Sequence, residues 1–255
     1  MINPMNYPLL VLVLSFLLLW FSASIGSTFL AKRHRIEEGT REDFNLVTGT
    51  TLTMLGLIIG FSFSMAINRY DQRKTLEDAE ANAIGTEYAR ADLLAAADGA
   101  KLRSLLRAYT DQRVLFYSTR DEREIREINI RTVKLQNELW AAVVGPAAEK
   151  PTPITALVVN GMNDVLNAQG HTQAAWWNRI PAGAWILMVF FAICSNMLIG
   201  YGARHAKAER SLLLLLPFIV SIAFFSIADI DSPTGGIIRV VPKNLNALVE
   251  SMRPN

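Results

Sequence analysis

The side chains that could do nucleophilic, acid–base or metal chemistry are few and scattered in this 255-residue sequence. The three histidines, His34, His171 and His205, lie far apart, and the one cysteine, Cys194, lies in an apolar segment. The sequence contains no HExxH pattern, no glycine-rich phosphate loop and no GxSxG pattern. We therefore expect no catalytic site, no metal site and no cofactor. A single cysteine also excludes an intrachain disulfide.

Carboxylates are plentiful in one stretch, residues 120–127, where they alternate with arginines. This alternation is typical of a solvated, ion-paired helix face. We interpret these carboxylates as surface groups rather than as a metal or acid–base site.

The segment Phe44–Asn68 carries small residues on one narrow face at 100° per residue: Gly49, Thr53, Gly56, Gly60 and Ser64. Small residues at this spacing allow helices to approach closely. The alternative is that this face, or the edge beside it, lines a pore formed by several subunits, in which bulky side chains can build a gate. The pore-lining candidates are Thr50, Leu57, Phe61 and Ser64.

A second candidate cluster pairs two acidic with two basic residues. Asp229 and Asp231 end the last apolar segment, where the negative end of a helix dipole disfavours carboxylates. Arg69 and Arg73 lie one turn apart on one helix face, just after span two. Span two and the last apolar segment end on the same side of the membrane, so the arginines and the aspartates lie on that side. The topology therefore predicts an ion-paired clamp between these arginines and aspartates. The clamp either fixes helix packing or shapes an ion pathway.

The elements that must position these residues are membrane spans. Hydrophobic residues make up 51% of the chain and charged residues 19%. Four segments lack Asp, Glu, Lys and Arg, and each reaches the roughly 18 residues that indicate a membrane-spanning helix. These segments are Met1–Ala31, Phe44–Asn68, Ile180–Ala203 and Ser211–Ala228. The first span, about Pro8–Ala31, is too long for a signal peptide and is followed by its basic cluster, so we predict a retained anchor. A soluble globule is excluded, and a net charge of +2 gives no reason to expect nucleic-acid binding.

We predict an all-α fold with four transmembrane helices and a helical extramembrane domain inserted between spans two and three. The expected parts are residues 1–67 (spans one and two), 68–180 (extramembrane domain), 181–231 (spans three and four) and 232–255 (tail). Within the domain, helical patterns predict a helix over Asp71–Ala97, a break at Asp98-Gly99, a stop at Gly145-Pro146 and Pro151-Thr152-Pro153, and a short helix over about Ile154–Ala168. The Trp176-Trp177 pair precedes span three, where aromatic rings favour the membrane interface.

The orientation follows from the cations of the two short loops. Lys32–Asn45 and Arg204–Arg210 together hold seven Lys and Arg residues. Short basic loops face the cytoplasm, whereas long domains cross largely regardless of charge. We therefore predict that both termini and the extramembrane domain lie outside the cytoplasm of a bacterial inner membrane, although Arg69, Arg73 and Lys74 oppose this.

Two motifs carry a resemblance to a known family. The run Gly60–Arg73, followed by Glu80–Gly85 and Arg90–Leu94, and the ending Asp229–Val240 are similar to the bacterial bestrophin-like family of four-span membrane proteins. The resemblance covers about Leu46–Leu245. The residues that match its motifs are Tyr70, Glu80, Asn82, Gly85, Arg90, Asp92, Pro233 and Gly236.

The resemblance to bestrophins implies a homo-oligomeric, pentameric ion channel in the lipid bilayer, with span two lining the pore. It also implies a cytoplasmic large domain and cytoplasmic termini, opposite to the orientation given by the loop charges. The analogy suggests an inorganic anion as the permeant ion, whereas Asp229 and Asp231 could concentrate cations, so the sign stays open. The alternative function is a non-conducting membrane scaffold or sensor whose helical domain binds a partner.

Overall fold

The fold is built from α-helices throughout the residues that the structure describes. A computed structural model describes residues 6–30, 38–203 and 210–253. The helices are α1 (Pro8–Ile25), α2 (Arg41–Arg90), α3 (Ala96–Ser118), α4 (Glu122–Glu149), α5 (Pro153–Trp177), α6 (Ala182–Gly202), α7 (Arg210–Asp231) and α8 (Lys243–Ser251). A π-helical turn, Gly26–Leu30, continues α1, and 3-10 turns lie at Glu38–Thr40 and Ala91–Leu93.

Four of these helical segments are long and apolar enough to cross a membrane. They correspond to α1 with its π turn, the first half of α2, α6 and α7. The prediction of an all-α fold with four spans is therefore confirmed. The basic cluster after span one, and most of the loop Arg204–Arg210, lie outside the described residues, as do His34 and His205.

The chain divides into two compact units. Unit 1 comprises Met1–Arg69 and Arg179–Arg239, and unit 2 comprises Tyr70–Asn178 and Val240–Asn255. Helix α2 contributes its apolar half to unit 1 and its charged half to unit 2. That unit 2 lies outside the membrane stays a prediction.

In unit 1, α1 packs against α6 and α7 around buried apolar side chains. Leu19 on α1, Met188 on α6 and Phe224 on α7 are almost fully buried. The Ser22 hydroxyl donates a hydrogen bond of 2.8 Å to the Ile193 carbonyl, so a polar group joins α1 to α6. Side chains of this kind hold helices together in lipid, where the hydrophobic effect between helices is absent.

The closest approach of α1 and α6 lies at two glycines. A Cβ at Gly200 would overlap the Ala23 carbonyl oxygen, and one at Gly26 would overlap the Met197 carbonyl oxygen. The two backbones therefore touch because neither glycine carries a side chain. This is the small-residue contact of membrane helices, and it lies between spans one and three.

In unit 2, α3, α4 and α5 pack with the second half of α2 and with α8 around one apolar core. Its fully buried members include Ile84, Leu102, Leu106, Phe116, Leu139 and Met162. The helix α8 packs on α3, where Met252 is buried.

Two expected helix boundaries in unit 2 are wrong, and a third is right in one of its two stop signals. The chain breaks at residues 91–95, because Ala95 has an extended backbone (φ −58°, ψ 149°), and Asp98-Gly99 lies in the first turn of α3. A Cβ at Gly99 would overlap the Ala91 carbonyl oxygen, so this glycine permits close packing and does not end a helix.

The other two boundaries are those of α4 and α5. Helix α4 runs through Gly145-Pro146 and ends at Glu149, just before the expected stop at Pro151-Thr152-Pro153. Pro146 lacks the N–H that would bind the Ala142 carbonyl, so the last turn continues with one backbone hydrogen bond fewer. Helix α5 extends from Pro153 to Trp177, well beyond Ala168. It begins at a capping box in which the Thr152 and Thr155 side chains accept from each other's backbone N–H groups.

The two tryptophans that end α5 have different environments. Trp176 is 8% exposed and packs against the rings of Phe116 and Tyr117, with centroids 4.8 and 5.2 Å away. Trp177 is 74% exposed. Of the pair, Trp177 is therefore the ring that is free to lie at a membrane interface.

Candidate functional site

Helix α2 has two distinct faces within its apolar half. Leu55, Ser62 and Ala66 are buried in unit 1 at spacings that place them on one stripe. All four pore-lining candidates are exposed in the single chain, Leu57 by 51% and Phe61 by 71%; the other two are Thr50 and Ser64. The structure thus places these four residues on a face that the rest of unit 1 leaves open.

Three glycines of span two face open space within the part of the chain that the structure describes. A Cβ at Gly49, Gly56 or Gly60 would meet no atom within 4 Å in the described part of the protein. The close-packing interpretation of this face is therefore not satisfied within one subunit.

The exposed faces of α1 and α2 differ in chemistry. Leu9, Val13 and Phe21 are exposed on α1, and such a surface matches lipid tails. The open face of α2 also exposes large apolar side chains, among them Met54, Leu57 and Phe61, but it carries glycines and hydroxyls as well. The hydroxyls of Thr50 and Thr53 donate to carbonyls one turn earlier, at 2.8 and 2.9 Å.

The two aspartates at the end of α7 are buried and bind backbone donors. Asp229 accepts the N–H groups of Ile237 at 2.7 Å and Ile238 at 2.8 Å. Asp231 accepts the N–H of Ile180 at 3.2 and 3.3 Å through its two oxygens. These donors partly offset the unfavourable helix dipole at this terminus. The sequence pattern gave no sign of them, because they come from the following turn and from the start of the α6 region.

The closing motif forms a compact turn around Asp229. Pro233 is buried, and a Cβ at Gly236 would overlap the Asp229 carbonyl oxygen. A glycine at 236 therefore lets the chain fold back closely enough for its next two N–H groups to reach the Asp229 carboxylate.

The proposed clamp involves both units. Arg69 belongs to unit 1 together with Asp229 and Asp231, whereas Arg73 belongs to unit 2 and is buried there. Arg69 Nη2 lies 3.6 Å from the Met65 sulfur. The pairing of these arginines with the two aspartates stays a prediction.

The motif residue Glu80 is the centre of a buried polar network in unit 2. Arg113 Nε donates to Glu80 Oε1 at 2.5 Å, and Arg113 Nη2 lies 3.3 Å from Oε2. The hydroxyls of Tyr117 and Thr172 donate to Oε2 at 3.3 and 3.2 Å. Burial, and secondarily the Glu80 charge, raise the pKa of Tyr117 above its usual range, so its hydroxyl remains a donor. The network joins α2, α3 and α5.

A second buried carboxylate, Glu77, holds the start of α8. Glu77 Oε1 accepts the backbone N–H groups of Asn244 and Leu245 at 3.0 Å each. Its other oxygen accepts the Asn244 side-chain amide at 2.7 Å. A carboxylate at a helix N-terminus is stabilised by the unpaired N–H groups and by the dipole.

The other motif residues on α2 and just after its C-terminus lie outside the hydrogen-bond networks of Glu77 and Glu80. Asn82 is exposed, and a Cβ at Gly85 would lie 3.2 Å from Leu248 Cδ1 of α8. Arg90 lies 3.8 Å from Glu87, and Asp92 pairs with Arg103. Tyr70 packs at the margin of the unit 2 core.

Three further charged residues are buried and were not among the candidates expected from the sequence: Glu77, Glu87 and Arg113. The spacing of Glu77 and Glu87 along α2 could have indicated that they are buried. Positions 73, 77, 80, 84 and 87 are buried and continue the helical stripe that contains Ala66. Charged residues on the same stripe as buried apolar ones indicate a polar core.

Within residues 6–30, 38–203 and 210–253, no group of three or more His, Cys, Asp or Glu side chains could hold a metal ion. The geometry around Glu77 and Glu80 therefore indicates carboxylates bound by protein donors.

The helices and buried carboxylates define an all-helical integral membrane protein in which one long helix joins a four-span unit to a helical unit. The chain belongs to the bestrophin-like family, because the model of the bestrophin-like domain matches residues 19–245. No protein among the curated sequences matches it.

Solved structures share this fold at low sequence identity. The crystal structure of a bacterial bestrophin homologue from Klebsiella pneumoniae has a TM-score of 0.62 and 17% identity, covering 96% of this chain and 95% of that chain. A tryptophan-to-alanine variant of that homologue has a TM-score of 0.60 and 13% identity, covering 94% and 93%. A glycine-to-alanine variant described as a membrane protein has a TM-score of 0.63 and 14% identity, covering 96% and 95%.

Proposed function

We propose that this protein is a homo-oligomeric ion channel of a bacterial inner membrane, with α2 of each subunit around a central axis. The observation that carries the proposal is the open face of α2. Thr50, Leu57, Phe61 and Ser64 lie in the middle of a span, on the side away from the residues that pack in unit 1. An oligomer of such subunits, five by the bestrophin analogy, would place these faces around one axis.

The chemistry of this face supports an axial position over a lipid-facing one. Lipid tails gain little from glycines and hydroxyls, whereas the exposed face of α1 offers long apolar side chains. Phe61 on such a face supplies a bulky apolar ring, which is the kind of side chain that gates a pore by excluding water.

Exposed apolar residues outside the spans support an oligomer. Ile130, Val133 and Trp140 lie at helical spacing on α4, and Ile130 is 72% exposed. The opposite side of α4 packs in the core through Ile128 and Leu139. A water-facing helix with a second apolar face is typical of a subunit contact.

The alternative is a non-conducting scaffold or sensor, and one observation favours it. The Thr50 and Thr53 hydroxyls are satisfied by carbonyls of their own helix, so this face does not require water. In that case the apolar face of α4 would bind a different protein.

Phe61→Ala and Phe21→Ala form a matched pair that tests the proposal. Both rings lie in spans and are largely exposed, 71% for Phe61 and 61% for Phe21, so neither substitution opens a large cavity within the subunit. We expect Phe61→Ala to change single-channel conductance or leak in planar bilayers, because it widens a constriction. We expect Phe21→Ala, on the lipid-facing helix, to conduct like the wild-type protein. The reversal potential in a salt gradient gives the sign of the permeant ion.

The particle's stoichiometry provides the second measurement. A ring with α2 around an open axis is expected. A monomer, or a closed dimer without an axial opening, would contradict the channel and favour the scaffold. Equal conductance for wild type, Phe61→Ala and Phe21→Ala would place the pore elsewhere than at Phe61.

A further inference from the structure

One buried carboxyl in unit 2 has no role in the proposed conduction pathway. Glu87 lies on the charged half of α2, and its side chain is fully buried. Its carboxyl contacts α5 at Gly161, where an added Cβ would overlap Glu87 Oε2. The absence of a side chain at 161 therefore creates the space that this carboxyl occupies.

The carboxyl of Glu87 is poorly neutralised. Neither of its oxygens has a hydrogen-bond donor in the part of the chain that the structure describes. The nearest cation, Arg90 Nη1 on the same helix, is 3.8 Å from Oε2, which is beyond a hydrogen bond. The facing helix α5 brings Asp164, whose negative charge opposes ionisation. Glu77 and Glu80, on the same buried stripe, each accept several hydrogen bonds.

We infer that Glu87 is a proton-binding site between α2 and α5, protonated while the two helices are packed, so that alkali loosens this contact. A neutral carboxyl fits a buried site without donors, whereas a carboxylate there is an uncompensated charge. The inference goes beyond the proposed channel function and does not depend on conduction.

The electrostatic environment agrees with this geometry. Burial raises the pKa of Glu87 from 4.5 to about 8; Arg90 lowers the pKa, and Asp164 raises it further. Between these two pH values the folded protein holds the proton, whereas the unfolded chain has released it. The free energy of unfolding therefore falls as pH rises from 4.5 to about 8.

The experiment measures thermal unfolding of the full-length protein in detergent across that pH range. In the wild-type protein, we expect the unfolding temperature to decrease as the pH approaches 8. Glu87→Gln keeps the shape without the charge, so its unfolding temperature should depend less on pH and should exceed that of the wild type at the alkaline end. Asp78→Asn, at an exposed carboxylate on the same helix, should keep the wild-type pH dependence.

A second variant and a spectroscopic signal separate proton binding from packing. Asp164→Asn removes the opposing negative charge, so the midpoint of the pH dependence should move to lower pH. Difference infrared spectra should show a protonated-carboxyl stretch that disappears as pH rises and is missing in Glu87→Gln. Equal pH dependence in the wild type and Glu87→Gln, or the absence of that band in the wild type, would overturn the inference.

Discussion

At the residue scale, the structure accommodates buried carboxyl groups in three different ways. Glu80 binds side chains, chiefly Arg113. Glu77 and Asp229 bind pairs of backbone N–H groups. Glu87 binds neither, and we propose that a proton neutralises it. The sequence shows only that these residues are acidic. Burial and the hydrogen-bond donors nearby decide how each carboxyl group is stabilised.

The two aspartates of α7 should differ in their contribution to stability. Asp229 accepts two hydrogen bonds of 2.7 and 2.8 Å from separate N–H groups, whereas the Ile180 N–H lies farther from the two Asp231 oxygens, at 3.2 and 3.3 Å. A hydrogen bond to a charged group contributes about 1.5–3 kcal/mol. We therefore expect Asp229→Asn to lower the free energy of unfolding by about that amount, and Asp231→Asn to lower it less.

Chemical denaturation in detergent measures this difference, with Asp78→Asn as the exposed-carboxylate control. Small and equal effects of the two α7 substitutions would show that neither the turn nor the predicted clamp depends on these charges.

At the element scale, the contact between α1 and α6 depends on the missing side chain of Gly200. Gly200→Ala places a methyl group on the Ala23 carbonyl oxygen, a backbone atom that cannot rotate away. The helices must separate, and overpacking of this kind costs about 1–3 kcal/mol. Gly60→Ala is the matched control, because its methyl group meets no described atom within 4 Å. Unfolding temperatures in detergent compare the two variants, and equal destabilisation would contradict the close contact.

The elements themselves could be predicted from the sequence to a useful degree. Charge-free runs of sufficient length identified the four spans, because a helix in lipid must be apolar over that length. The ends of the helices in unit 2 were harder to predict from the sequence. Gly99 and Pro146 are usual signals of a break, but Gly99 serves close packing, and α4 continues past Pro146 to Glu149 with the loss of one backbone hydrogen bond.

The candidate sites were only partly predictable for a related reason. The exposed face of span two follows from helical periodicity, and the structure leaves its four candidates exposed. The donors to Asp229 and Asp231 are backbone N–H groups from a turn and a neighbouring segment, which have no sequence signature. The partners of Glu80 lie 33 to 92 residues away in the chain, so only the fold brings them together.

At the scale of the whole molecule, the orientation in the membrane can be tested with two introduced cysteines. Gly39 precedes span two and Thr119 follows it in unit 2, and neither position is buried. The charge-free part of α2 has 25 residues over 44–68. At 1.5 Å per residue it spans roughly 37 Å, enough to cross a hydrocarbon core of about 30 Å. The two positions should therefore lie on opposite sides.

The predicted orientation of span two in the membrane rests on the seven Lys and Arg residues of the two short loops, which favour a cytoplasmic position for Gly39. In a Cys194→Ser background, an impermeant thiol reagent applied to intact cells should label Thr119→Cys and not Gly39→Cys. Permeabilised cells, in which both cysteines should react, are the control for accessibility. Labelling of Gly39→Cys alone would reverse the orientation and agree with the bestrophin arrangement instead. Labelling of both in intact cells would mean that α2 does not cross the membrane, which would also remove the basis for a pore along its exposed face.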